Sequence, residues 1–262
     1  MTKNKTLAVV LVVLFVLALI VALGQSVFRV GKVELVAHST TNYLSALNEN
    51  TVLSGSKLNK GSSVFLLDRD TYCKNLEASQ PYIKVLSIEV VWPNTIKFHY
   101  AERTELFALP LNDGAYAYVD GDFKVLKVSQ GAFSSTQQNS ILLEQTLDKS
   151  SAEVRAGDFL NQQDFSDFVD IDDAFLDMGY SLSELKSMVR ATSTTTDTEG
   201  KKLNLNTFLG VNIQILNSAF YTSQKITLAY QMLDTLTEQE RSHGTIYVFK
   251  NSQNVLESRY IA

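Results

Sequence analysis

The sequence predicts an α+β chain: a single N-terminal transmembrane helix, a β-α-α-β-β module, then a mixed β-rich domain with two helices. Three observations predict it. Leu7 to Leu23 (LAVVLVVLFVLALIVAL) is apolar without interruption. Val90 to Arg103 (VVWPNTIKFHYAER) alternates apolar and polar residues on both sides of a proline, behind two helical segments. After Arg103, short β runs follow one another, separated by Asn-Asp-Gly and Asp-Gly-Asp turns.

As a helix, the apolar run of about 17 residues measures about 25 Å, near the short end of what crosses a bilayer. Lys3 and Lys5 precede it and no acid does. That keeps residues 1–6 in the cytoplasm and makes 7–24 a single-pass anchor in the cell membrane, with nearly all of the chain outside. A cleaved signal peptide is the rival, because Ala22-Leu23-Gly24 resembles a processing site. The run is longer than a usual signal core, so a retained anchor is expected.

The β-α-α-β-β module spans 28–102. Val33 and Leu35 alternate as a first strand, and Thr40 or Thr41 can cap a helix through Leu44, Leu47 and Val52. A Gly/Ser-rich link leads to a second helix, capped by Asp68 or Asp70, with Tyr72, Cys73 and Leu76 on its apolar side and its end before Pro81. Pro93 has no N–H to give a ladder and steers Trp92 away from helix, so it marks a turn. A loop of Pro93, Asn94 and Thr95 sets Trp92 opposite Ile96, Val90 opposite Phe98 and Ile88 opposite Tyr100. Leu86 shares that apolar face, and His99 sits opposite Glu89 on the wet one. The helices supply the cover the apolar face needs.

The β-rich domain spans 103–262. Glu105 to Leu109, Ala115 to Val119 and Phe123 to Val128 read as a meander. SQGAFSSTQQNS reads as a loop and the Thr-rich ATSTTTDTEGKK as a hairpin tip. Leu203 to Leu216 and Gly244 to Lys250 read as strands. One helix presents Phe165, Phe168, Val169, Asp172, Phe175 and Leu176 at helical spacing, and another presents Ile226, Ala229, Met232, Leu233 and Leu236.

Chemistry is hard to find. A net charge of −5 argues against a nucleic-acid surface. Cys73 is the only cysteine, which excludes an intramolecular disulfide and a thiolate metal site. The aspartates from Asp164 to Asp177 lack a glycine-centred loop and read as a solvated helix face. His38, His99 and His243 stand far apart in sequence, and no GxSxG, SxxK, Walker A or GxGxxG occurs. The expectation is a protein without catalysis, cofactor or metal.

The chain end offers something else. Ile246 and Val248 alternate with Tyr247 and Phe249, so both faces of that strand are apolar, as in a strand covered on two sides. The following strand, Val255 to Tyr260, is then the open edge. An open edge carries unpaired N–H and C=O groups that must be covered, blunted or used. Ile246, Tyr247, Val248, Phe249, Val255, Leu256 and Tyr260 are the residues expected to receive a partner strand by β-augmentation. Glu257 and Arg259 are the features that could blunt the edge instead.

In order and spacing, VFLLD (Val64 to Asp68), Pro81, VVWPNTIKF, Glu102-Arg103, AYVD and Val125-Leu126 resemble the bacterial cell-division family FtsQ/DivIB, whose first module outside the membrane is a POTRA domain. NIQIL, KITLAYQML, GTIYVFK and NVLESRY extend the likeness to the end of the chain. Trp92, Pro93 and Asn94 mark the POTRA turn, and Glu102 and Arg103 its boundary. Departures occur at Ala37-His38, at Phe123, where a turn glycine is common, and at Ile246-Tyr247-Val248, which lacks the family's acid. The resemblance implies a non-enzymatic divisome scaffold at the division septum. It implies partners too: FtsL-like and DivIC/FtsB-like bitopic proteins and, through them, the septal peptidoglycan synthase. A membrane-anchored cell-wall hydrolase and a POTRA-bearing export factor are the competing classes.

Overall fold

Val33, Ile88, Ile96 and Phe98 are buried together with Val52 and Leu76, so strand residues of period two meet helix residues of longer period in one small core. The computed structural model describes residues 11–16, 18–19, 22, 27–38, 47–131, 133, 140–198 and 200–262. The chain divides into two compact units, 1–103 and 104–262.

In the first unit, residues 11–16, 18–19 and 22 are helical, and among the described residues no helix is long and apolar enough to cross a membrane. The rest of the expected 7–24 anchor lies outside the described residues. So do residues 39–46, which include the expected caps Thr40 and Thr41.

Strand β1 (Lys32–Ala37) runs parallel to β3 (Thr95–Glu102), and β2 (Ile83–Val91) runs antiparallel to β3, giving the order β1-β3-β2. Helix α1 (Glu49–Ser56) starts at Asn48, whose side chain accepts from Thr51 N, and helix α2 (Arg69–Ser79) starts at Asp68 in the same way. Both caps satisfy N–H groups that a helix cannot pair by itself. Each fully buried core side chain here contributes about 1.5–3 kcal/mol.

The hairpin register differs from expectation by two residues. Val91 pairs with Thr95, Val90 with Ile96 and Ile88 with Phe98, so the loop is Trp92, Pro93 and Asn94, and its Trp92–Pro93 peptide is cis. A shift of two keeps every side chain on its predicted face, because the pleat has period two. The shift sets His99 opposite Ser87 and Glu89 opposite Lys97, and a bulge between Val85 and Ser87 turns Leu86 out to solvent.

The second unit is built on a nine-stranded sheet of order β12-β11-β10-β9-β8-β7-β4-β5-β6. Its strands are β4 (Phe107–Pro110), β5 (Tyr116–Val119), β6 (Val125–Ser129), β7 (Ile141–Leu143), β8 (Val189–Asp197), β9 (Gly200–Thr207), β10 (Asn212–Leu216), β11 (Thr245–Lys250) and β12 (Leu256–Ile261). The meander β4–β6 follows expectation. The Thr-rich stretch does more than turn: most of it is β8, where alternating Ala191 and β-branched threonines suit a pleated ladder.

Among the described residues four helices accompany this sheet where two were expected: α3 (Ser166–Asp177), α4 (Leu182–Met188), α5 (Thr222–Thr235) and α6 (Glu238–Arg241). On α3 the buried residues are Phe168, Ile171, Ala174 and Phe175, with Phe165 just ahead, whereas Leu176 is exposed. Phe123, Phe165 and Phe107 form a stack, with centroids 4.6 Å apart between Phe123 and Phe165 and 5.5 Å apart between Phe107 and Phe123. Phe123 holds this place with φ 57°, the left-handed backbone that its common glycine counterpart would adopt freely.

Candidate partner-binding edge

The strand β12 ends the sheet, paired on one side with β11. The hairpin between them turns at Ser252, Gln253 and Asn254. Asn254 N donates to Asn251 O, Asn251 N donates to Val255 O, and Asn254 takes φ 63°. That is the three-residue loop with a left-handed third residue, and it fixes the ladder's phase. Opposed pairs in an antiparallel ladder alternate between bonded and unbonded, so with Asn251 and Val255 bonded, the pairs Phe249/Glu257, Tyr247/Arg259 and Thr245/Ile261 are bonded too. The main-chain N–H and C=O groups of Leu256, Ser258 and Tyr260 therefore point away from β11.

The side chains alternate accordingly. Leu256, Ser258 and Tyr260 are half-buried, Tyr260 packing on the core, while Glu257, Arg259 and Ile261 are exposed. The Tyr260 hydroxyl donates at 3.1 Å to Glu240 O and lies 3.2 Å from His243 O, which pins the outermost strand to α6 and its following turn. Beside Leu256 lies a groove lined by Met178, Tyr180, Leu228, Tyr230 and Asp234, with a volume of about 760 Å3.

The other predicted residues separate. Ile246 and Val248 are fully buried, but Tyr247 and Phe249 are only half-buried, so β11 is covered on one face and partly on the other. Val255 is 54% exposed just ahead of β12. The far edge of the sheet is occupied at its start: Val125 N on β6 donates to Asp158 O, and Gly157 N donates to Val125 O, each at 2.8 Å.

In the first unit, Trp92, Pro93 and Asn94 form the exposed hairpin turn. Glu102 pairs with Ile83 at the end of the sheet. Arg103 is buried: its Nη2 donates to Glu77 Oε2 at 3.0 Å, its Nε to Ile83 O at 3.2 Å, and its backbone N to Tyr82 O at 2.8 Å. Glu77 Oε1 accepts from Val85 N at 2.8 Å, so one carboxylate joins α2, β2 and the end of β3. Sequence reasoning singled out Arg103 and missed Glu77, whose helical position carried no sign of so distant a partner.

Other chemistry-bearing residues are bound up in structure. Burial pushes the Cys73 thiol up, and Glu77 and Asp70 push it further, which disfavours a thiolate. His38 Nε2 and His99 Nδ1 lie 2.9 Å apart, and His99 Nε2 lies 3.1 Å from Glu89 Oε2. The parallel β1–β3 pairing makes that contact between residues the sequence keeps apart. Among the described residues no group of three or more His, Cys, Asp or Glu side chains is arranged to hold a metal ion. On α5, Lys225 is buried with its Nζ donating to Leu216 O at 2.8 Å and Asn217 O at 2.7 Å, and burial followed by Lys250 lowers its pKa.

Residues 41–103 match the family model described as POTRA domain, FtsQ-type. The chain carries an FtsQ-type POTRA domain. The match reaches from ahead of α1 through β3 to Arg103 and supports the FtsQ/DivIB family. A POTRA domain of this type supports a division-related scaffold that works through protein–protein contacts. No curated protein matches the chain.

Proposed function

We propose that this protein is a non-enzymatic divisome scaffold, held in the cell membrane by the apolar helix 7–24 with its first residues in the cytoplasm. Its second unit captures FtsL-like and DivIC/FtsB-like bitopic proteins outside the membrane at the septum, and through them bears on the septal peptidoglycan synthase. The observation that carries this is the edge of β12, which no strand covers among the described residues, in a chain whose residues 41–103 match an FtsQ-type POTRA domain.

A strand laid along β12 meets the outward N–H and C=O groups of Leu256, Ser258 and Tyr260, and main-chain bonds of this kind give affinity without a demanding sequence. Val255 and Ile261 on one face, and the groove beside Leu256 on the other, give selectivity. Ile246, Tyr247, Val248 and Phe249 support the edge from β11. Glu257 and Arg259 carry opposite charges and leave room for a partner with both signs.

The test is deletion of Asn254 to Ala262, followed by capture of a purified FtsL–DivIC pair by the detergent-solubilised chain. Capture is expected to be lost, and unchanged capture would discard the edge as the binding site. A fluorescently tagged copy should form a mid-cell band, and a uniform rim would remove the septal role.

A further inference from the structure

Phe28, Phe65 and Trp92 form a triangle of rings, with centroids 5.4 Å apart between Phe28 and Phe65, 5.5 Å between Phe28 and Trp92, and 5.2 Å between Phe65 and Trp92. Such a cluster would be ordinary in a core. Here Phe65 is 63% exposed, Trp92 57% and the adjoining Leu66 84%. The cluster is built rather than accidental. The strand entering the domain is stitched to the loop before α2, with Val30 N donating to Ser62 O at 2.8 Å and Val64 N to Phe28 O at 3.1 Å. The same strand is tied to the hairpin turn, with Gly31 N donating to Asn94 O at 2.8 Å. Three segments distant in sequence thus bring their aromatic residues to one spot.

Where the spot lies decides its occupant. Phe28 belongs to the cluster and follows the apolar run, which ends at Leu23, by five residues, a reach of at most about 17 Å. A domain hung on so short a tether keeps this end against the lipid. The headgroup layer suits tryptophan, whose apolar ring and polar N–H can both be satisfied there, and phenylalanine and leucine sit on the buried face of interfacial segments. We propose that Phe28, Phe65, Leu66 and Trp92 form a membrane-interface patch that seats the POTRA domain in the outer headgroup layer of the bilayer that holds the anchor. The inference rests on the retained anchor proposed above. It gives the WPNT turn a use that partner capture at β12 does not.

Trp92 is the only tryptophan of the chain, so its fluorescence reports this site alone. The full-length chain is reconstituted into vesicles of equal parts phosphatidylcholine and phosphatidylglycerol, and flotation in a density gradient reports the anchor independently. The expected result is flotation, with Trp92 emission shifted to the blue of that of a water-exposed indole and cut to about half or less by phosphatidylcholine brominated high on its acyl chains, a depth matching the ~5–10 Å of an interfacial group. Bromine near the chain ends should quench less. Phe65→Ser combined with Leu66→Ser, both surface changes, should reduce the quenching several-fold and leave flotation untouched. Flotation with an unshifted, unquenched Trp92, or quenching indifferent to the double substitution, overturns the patch while sparing the anchor. Failure to float overturns both.

Discussion

Replacing Ser258 with proline is expected to weaken capture of the partner pair while leaving the fold intact. The Ser258 N–H points away from β11, so a proline ring there removes no bond of the β11–β12 ladder and occupies a position that proline tolerates on edge strands. For an added strand the loss is twofold: one main-chain bond worth about 1 kcal/mol, and a partner carbonyl left dry at a further cost of about 1–3 kcal/mol. The sum of about 2–4 kcal/mol corresponds to about 30- to 700-fold in Kd. Arg259→Pro is the matched control, since its N–H faces Tyr247 and its loss breaks the native ladder. Calorimetric titration of the detergent-solubilised chain with the purified pair reads affinity, and thermal unfolding reads the fold. Ser258→Pro should unfold near the parent's temperature, and Arg259→Pro several degrees lower. A Ser258→Pro variant that folds like the parent and binds within about threefold of it would refute the edge argument.

Three further outcomes follow from the packing. Arg103→Met removes a buried cation from beside the Glu77 carboxylate, which keeps its bond from Val85 N, and should destabilise the unit by at most about 3–5 kcal/mol, read by denaturant unfolding. At Phe123, glycine relieves a left-handed backbone worth about 1–2 kcal/mol but loses a buried ring worth about 3–5 kcal/mol, so Phe123→Gly should still destabilise, and Phe123→Ala should be no better. The Tyr230 hydroxyl is buried with no hydrogen-bond partner among the described residues, and burial, then Tyr180, pushes its pKa far up. The folded state thus resists its ionisation: the stability is intact below the ordinary tyrosine pKa of about 10 and is lost progressively as pH rises beyond it. Tyr230→Phe should be neutral or stabilising at neutral pH and should flatten the alkaline limb of a stability profile.

What the sequence made legible was whatever depends on neighbours along the chain. The Asp68 cap, the apolar side of α2 and the meander turns all rest on spacings of a few residues. The hairpin faces were readable for the same reason, while its register was not, because a loop of Trp92-Pro93-Asn94 and one of Pro93-Asn94-Thr95 give identical alternation. Helix α4 carried a signal that could have found it: Ser181 and Glu184 form a capping box, the S-x-x-E spacing that opens a helix. Glu77 with Arg103, His38 with His99, and the Phe28–Phe65–Trp92 triangle stayed hidden because each joins segments through tertiary pairing that no local pattern encodes. At β12 the edge was suggested by the apolar alternation of Ile246 to Phe249, which marks β11 as a covered strand and leaves the next one outermost. Which of its residues turn their backbone outward needed the phase of the Asn251–Val255 loop.

Strand β7 shapes how the second unit carries load. It is three residues long, pairing Ile141 and Leu142 with β4 and Leu142 and Leu143 with β8, and it alone joins β4–β6 to β8–β12 in the sheet order. A pull exerted at the chain's last strand crosses long, well-knit ladders until it reaches this splice, where the cross-section of lateral bonds is smallest. Tension between the last strand and the start of this unit would then be felt first at Ile141 to Leu143.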